Sequence, residues 1–259
     1  MFLFPLLVLF TVLSHSDCKI DTCLPGKYHK PSPGPEPNMK ACTLYLKNSC
    51  CPANFTELLA QSPVIGVSDT YWNRCGTLSK KCEEYMKKLE CFYQCSPAAA
   101  HWKDPKNNLG MKFVPLCQNF CDDWFEACKL DHTCSRDWLT DWAVDEKGKK
   151  ICQSQCLPYS EVYKNGTDLC ESMWGQSFRA ISRSCRCLEM DGRDEKLLKY
   201  ITDESSEESS SQSSSENSSG SSEERACRHR RRRLQLRRQP IKEEEEIEFQ
   251  YIVTEMTWL

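Results

Sequence analysis

The chain has 259 residues, 27% of them charged and 39% hydrophobic, with a formal net charge of −3 and 19 cysteines. Cysteine at this density excludes a reducing compartment, where thiols stay free, and points to an oxidised framework that substitutes for a large apolar core. Composition shifts sharply near residue 203, so the folded part is shorter than the length implies.

In chain order, Phe2–Leu13 forms an apolar run, and the small residues Ser14 and Ser16 follow it. That is the layout of a secretory signal peptide, in a run too short to span a bilayer. Residues 1–18 are read as the signal; cleavage after Cys18 leaves an even 18 cysteines. Residues 19–41 are Pro-rich and extended, with PSPGPEP at 31–37. CTLYL at 42–46 is the best strand signal in a chain where such signals are weak.

Helical periodicity runs through the cysteines. Cys82, Met86, Leu89 and Tyr93 recur at three- and four-residue steps after a candidate cap at Ser79. Cys117, Phe120, Cys121, Trp124 and Cys128 repeat the pattern, with Pro115 near the first turn. Asn165-Gly166 is a turn signal; Asp168 and Glu171 then have capping-box spacing, and Cys170, Trp174 and Phe178 fall on one face. The charged stretch 191–203 reads as a short helix. The expected fold class is α+β, rich in helix: a single disulfide-stapled domain over residues 19–203.

Beyond it lies low-complexity tail. From Glu204 to Glu224 there are twelve serines and six glutamates with no lysine or arginine, a composition that cannot bury enough apolar surface to fold. Several serines stand two residues before a glutamate, the acceptor pattern of the secretory kinase that acts on caseins. Ser205, Ser206, Ser209, Ser210, Ser211, Ser213, Ser214 and Ser215 are the expected phosphorylation sites, which together make a dense polyanion. Residues 225–259 are basic and then acidic, with eight arginines between 225 and 238. In a secreted chain this run reads as a partner for the phosphoserines or a processing site, not as a nucleic-acid contact.

Two other uses of these residues are weaker. Cys91/Cys95 and Cys117/Cys121 are four apart and Cys50-Cys51 are adjacent, none of which makes the paired C-x-x-C blocks of structural zinc sites. No zinc-protease helix motif, nucleophile elbow or phosphate loop is present, so the chain reads as a non-enzyme with neither metal nor catalytic residues.

Several stretches carry a family resemblance: NSCCPANFTELL at 48–59, YWNRCGTLSKKCE at 71–83, ECFYQCSP at 90–97 and VPLCQNFCDDWFEAC at 114–128. WLTDW at 138–142, PYSEVYKNGTDLCESMWGQSF at 158–178 and the SSEESSSQSSSE tail extend it. Together they resemble the riboflavin-binding proteins of egg-laying vertebrates, relatives of the folate receptors, over essentially the whole mature chain. The resemblance implies a domain of the folate-receptor type. It implies the pairs Cys23–Cys50, Cys42–Cys91, Cys51–Cys95, Cys75–Cys156, Cys82–Cys128, Cys117–Cys187, Cys121–Cys170, Cys134–Cys152 and Cys185–Cys227, with Cys18 left alone. It also implies glycosylation at Asn54 and Asn165, both read as surface turns.

The same resemblance implies a riboflavin ring stacked between Tyr93 and Trp174. The chemistry suits the ligand: isoalloxazine is flat and electron-poor, and a slot between electron-rich rings buries both of its faces. Trp72, Trp124, Trp138 and Trp142 are further candidates for the wall, although an aromatic on a helix face is more often plain core. Folate, with its anionic tail, is the rival ligand. Residues 135–142, with Asp137, Asp141 and the single Arg136, suit a neutral ribityl chain better. The reading is a soluble, monomeric carrier, secreted into plasma, egg white or yolk, without a membrane anchor. An oocyte uptake receptor is its expected partner through the phosphoserine tail. Riboflavin is its cargo and not a catalytic cofactor; the alternatives are a folate or pterin carrier and a ligand-free recognition protein.

Overall fold

The computed structural model describes residues 22–182 and 186–198, which fall within one compact unit. The signal segment, Cys185, Cys227, the tail serines and the arginine run lie outside the described residues.

The chain enters through an arm that is extended but not detached. Cys23 is bonded to Cys50, Lys30 N donates to Cys50 O at 2.6 Å, and Gly34 and Ser49 pair backbone to backbone. Leu24 is buried and Tyr28 packs on Phe55 with ring centroids 4.9 Å apart. The segment at 42–46 is not a strand. Cys42 has φ 57°, which no strand tolerates, and Thr43–Tyr45 makes a 3-10 turn instead.

Among the described residues, four helices of about two turns or more follow, with short strands between them. Helix α1 is Ala53–Ala60; Asn54 is an exposed residue on it, not on a turn. The hairpin β1 (Gly66–Val67) and β2 (Thr70–Tyr71) leads to α2, Lys80–Cys95. Ser79 caps α2 by accepting from Cys82 N at 3.3 Å, and Cys82, Met86, Leu89 and Phe92 are buried along it. Strands β3 (Lys103–Asp104) and β4 (Asn107–Met111) pair antiparallel, and β5 (Val114–Cys117) runs into α3, Gln118–Cys128. Pro115 therefore lies in a strand, not in the first turn of α3.

After α3 come β6 (His132–Thr133), β7 (Trp142–Val144), β8 (Lys150–Cys152) and β9 (Leu157–Pro158). The single turn α4 (Tyr159–Val162) precedes α5, Gly166–Ser172, and β10, Phe178–Ile181. The cap of α5 is Asn165, whose Oδ1 accepts from Asp168 N at 2.9 Å; Glu171 instead accepts from Ala180 N at 3.0 Å. Trp174 and Phe178 lie beyond the helix end. Strand β10 returns beside β5 in parallel, pairing Phe178 with Val114 and Ile181 with Cys117. Past it, Gly192–Asp194 is a 3-10 turn and residues 195–198 are helical.

What joins these pieces is sulfur. Eight disulfides are present among the described residues: Cys23–Cys50, Cys42–Cys91, Cys51–Cys95, Cys75–Cys156, Cys82–Cys128, Cys117–Cys187, Cys121–Cys170 and Cys134–Cys152. Two-residue strands and short helices cannot hold a register by themselves, and each crosslink removes about 2–4 kcal/mol of unfolded-chain entropy, without simple addition. Around them Phe55, Trp72, Phe92, Trp124, Tyr159 and Tyr163 form the aromatic core. Among the described residues no helix is long and apolar enough to cross a membrane.

Candidate ligand-binding site

A cavity of about 380 Å³ opens between α2, β4, the arm and the segment after α5. That volume lies within the range of about 300–1,000 Å³ that small-molecule pockets occupy. Tyr93 and Trp174 both line it, from elements 81 residues apart in sequence (174 − 93).

Tyr93 is held in place by its neighbours. It lies between Cys91 and Cys95, which are bonded to Cys42 and Cys51. Its hydroxyl donates to Leu109 O at 2.6 Å, and the His29 ring meets it edge-on at 5.1 Å and 80°. His29 Nε2 is 3.0 Å from Tyr93 O, which can only accept, so Nε2 carries the proton. Burial lowers the His29 pKa, partly offset by that bond, which favours the neutral ring. Burial and then the nearby Glu90 push the Tyr93 phenol up to about 12, so it stays a neutral, electron-rich ring.

Trp174 follows α5, which Cys121–Cys170 ties to α3. Its ring rests on Trp138 at 5.8 Å and 59°, and Trp138 N donates to Met173 O at 2.8 Å. Trp138 in turn meets Trp142 at 6.0 Å, and Trp142 Nε1 donates to Trp138 O at 2.8 Å. The chain then turns at Gly175, φ +55°, a conformation that costs other residues about 1–2 kcal/mol. Asp141 Oδ2 accepts from Asp137 N at 2.8 Å, bracing the loop that carries Leu139 into the cavity wall.

The other tryptophans are not cavity residues. Trp138 and Trp142 back Trp174 from behind, whereas Trp72 and Trp124 are 2% and 0% exposed in the core. Each is a large aromatic side chain, a signal that core packing produces as readily as a pocket wall does.

Several wall residues had no strong sequence signal. Glu90 and Gln94 project from α2 beside Tyr93, and both are at least nine-tenths buried. Gln94 Nε2 donates to Glu90 Oε1 at 2.8 Å. Burial pushes the Glu90 carboxyl up to about 7, against the lowering effect of that bond. Spacings of three and four from a helical ligand residue mark the same face, which is the signal that would have found Glu90. His29 and Gly26–Tyr28 come from the arm, where nothing local marks them. Three buried polar atoms of the lining residues have no protein partner: His29 Nδ1, Gln94 Oε1 and Trp174 Nε1. Leaving such atoms unpaired costs about 1–3 kcal/mol each.

Charge at the mouth also differs from expectation. Arg136 is committed elsewhere: it pairs with Asp168, donates to Val162 O at 2.6 Å and lies over Tyr163. Lys27 and Lys150 nevertheless line the cavity, and an adjoining hollow adds Lys149; Lys150 pairs with Asp69 at 3.1 Å. Cations are therefore present at the mouth, supplied from outside residues 135–142, and the charge argument against folate does not carry.

The folate receptor family model matches residues 22–189. The chain belongs to that family. Within it, the chain is 58% identical to a riboflavin-binding protein of Dromaius novaehollandiae over 198 residues, 76% of this chain and 83% of that one. It is 56% identical to a riboflavin-binding protein of Gallus gallus over 200 residues, 77% of this chain and 84% of the relative. Folate receptor alpha of Homo sapiens is more distant, at 29% over 180 residues, 66% and 70% of the two chains.

Proposed function

We propose that this protein is a carrier of riboflavin, which it binds without covalent chemistry in the cavity between Tyr93 and Trp174. The observation that carries the reading is the convergence of those two rings on one cavity whose wall also holds unpartnered polar atoms. A flat ring system with one apolar and one hydrogen-bonding edge matches such a lining, and each stacked contact adds about 0.5–1.5 kcal/mol beyond the area buried. The much higher identity to riboflavin-binding proteins than to folate receptor alpha supports riboflavin over folate as cargo. Because crosslinks flank both rings, the slot is formed before the ligand arrives, and little ordering entropy is lost on binding.

The wider role follows from the same reading. The dense disulfides and the N-terminal apolar run support secretion, and the likeness to riboflavin-binding proteins supports transport. The protein acts as a monomer that delivers its vitamin to the growing oocyte, with the phosphorylated serine tail as the polyanion recognised by an uptake receptor.

The test is a fluorescence titration of riboflavin with the purified protein at neutral pH, with folate in a parallel calorimetric run. Stoichiometric quenching of flavin emission, lost in the Tyr93→Ala/Trp174→Ala double variant, is the expected result. Clear folate heat without flavin quenching would move the chain to the folate side of the family. A double variant that binds flavin as tightly as the parent would refute the site.

A further inference from the structure

Two of the crosslinks lie side by side. The disulfides Cys75–Cys156 and Cys134–Cys152 bring all four Sγ atoms within 4.8 Å of one another. Four thiolates so grouped would suit a soft metal ion, but each of these sulfurs is bonded to another and offers no thiolate. Accessibility separates the two bonds. Cys156 is exposed and Cys75 and Cys152 are half-buried, whereas Cys134 is buried. Among the described residues Cys156 is the one exposed half-cystine, and every disulfide other than Cys75–Cys156 has at least one buried member. Hydrogen bonds hold the cluster together independently of the sulfurs. Arg74, next to Cys75, donates to Lys150 O at the start of β8, and Ser154 Oγ donates to Cys134 O at 2.9 Å.

We infer that these four sulfurs form a thiol–disulfide exchange site that a low-molecular-weight thiol enters at Cys156. In the first step the thiolate of that reagent bonds to Cys156 Sγ, the Cys75–Cys156 bond breaks, and its electron pair leaves on Cys75 Sγ. The Arg74 and Ser154 bonds keep the freed Cys75 sulfur beside the second disulfide, so the next step is intramolecular and fast. Cys75 Sγ bonds to Cys134 Sγ, and the Cys134–Cys152 bond breaks with its electron pair on Cys152, which takes a proton from water. Cys152 is the better leaving sulfur of the two because it is half-buried, and a thiolate is disfavoured in an apolar interior. No net oxidation occurs: one reagent thiol enters a mixed disulfide and one protein thiol appears. The second crosslink joins the segment before Trp138 to β8, where Cys152 pairs with Trp142, and both tryptophans back Trp174. Opening it loosens the support of the ligand slot. That consequence rests on the riboflavin reading above, whereas the exchange itself does not.

The experiment treats the folded protein with reduced glutathione at pH 8, stops samples with acid at intervals, alkylates free thiols with N-ethylmaleimide and maps them by proteolysis and mass spectrometry. The expected products are glutathione on Cys156 and label first on Cys75 and then on Cys152. They should form about tenfold or more faster than label at any of the other six disulfides of the described residues. In Cys134→Ala/Cys152→Ala the label should stay on Cys75. The order of labels in the parent decides the matter even where that variant does not fold. Label that arises first at one of those six disulfides, or Cys75 label that never passes to Cys152, overturns the inference. Riboflavin quenching followed in the same reaction is expected to fall in step with the Cys152 label and not with the Cys75 label. Quenching that persists after Cys152 is fully labelled overturns the link to the slot. A parent that quenches no riboflavin overturns the riboflavin reading together with that link, while the labels still decide the exchange.

Discussion

Glu90 also makes a stability prediction that needs no ligand. In the unfolded chain its carboxyl ionises near the ordinary 4.5, whereas burial in the folded domain raises it to about 7. The folded protein therefore holds that proton more tightly, and folding is disfavoured as the proton is lost. Stability contributed by the neutral form is fully present below 4.5, falls as pH rises through the interval to about 7, and is flat above it. A rise from 4.5 to about 7 corresponds to about 3 kcal/mol at ~1.36 kcal/mol per pH unit. Glu90→Gln removes the titration while keeping a side chain that can accept from Gln94. The variant is expected to match the parent near pH 4 and to exceed it by about 3 kcal/mol near pH 8. The assay is denaturant unfolding of the ligand-free protein, disulfides intact, at a series of pH values, with equal slopes required for the comparison. A stability difference that does not change with pH, or a variant weaker than the parent at pH 8, would refute the reasoning.

Two further outcomes concern the support of the site. A Cβ at Gly166 would stand 2.5 Å from the Cys121 carbonyl carbon and 2.6 Å from Asp122 Cα, both backbone atoms of α3. Gly166→Ala should therefore push α5 away from α3, cost about 1–3 kcal/mol and weaken flavin quenching, because Trp174 follows α5; unchanged stability and affinity would contradict the close approach. At the mouth, Lys27, Lys149 and Lys150 surround a hollow that adjoins the cavity. Riboflavin 5′-phosphate should lose affinity with added salt more steeply than riboflavin, and Lys149→Glu should weaken the phosphorylated ligand by about two- to fivefold with riboflavin unaffected. Identical salt slopes for the two ligands would exclude a role for these lysines.

The sequence by itself determined what depends on short range. The α2 and α3 periods, the Ser79 cap and the turn at Asn165-Gly166 can be read from neighbours three or four residues apart, because helical hydrogen bonds and caps reach no further. The same local rules misread Cys42–Leu46 as a strand and Pro115 as a helix start. In one place a left-handed residue bonded to Cys91 dictates the backbone, and in the other a partner strand from residues 178–181 does. Motif resemblance extended the reading to Tyr93 and Trp174, but it left four more tryptophans as further candidates for the wall. Only the tertiary structure decided among them. Trp124 and Trp174 each stand four residues or fewer from a cysteine, yet one packs at 0% exposure and the other borders open space. The difference is set by what long-range packing lays against each ring, and the arm that brings His29 to Tyr93 comes from 64 residues away. Burial of Glu90 and Gln94 has the same origin: a polar pair on a helix face reads as solvated until the tertiary structure buries it.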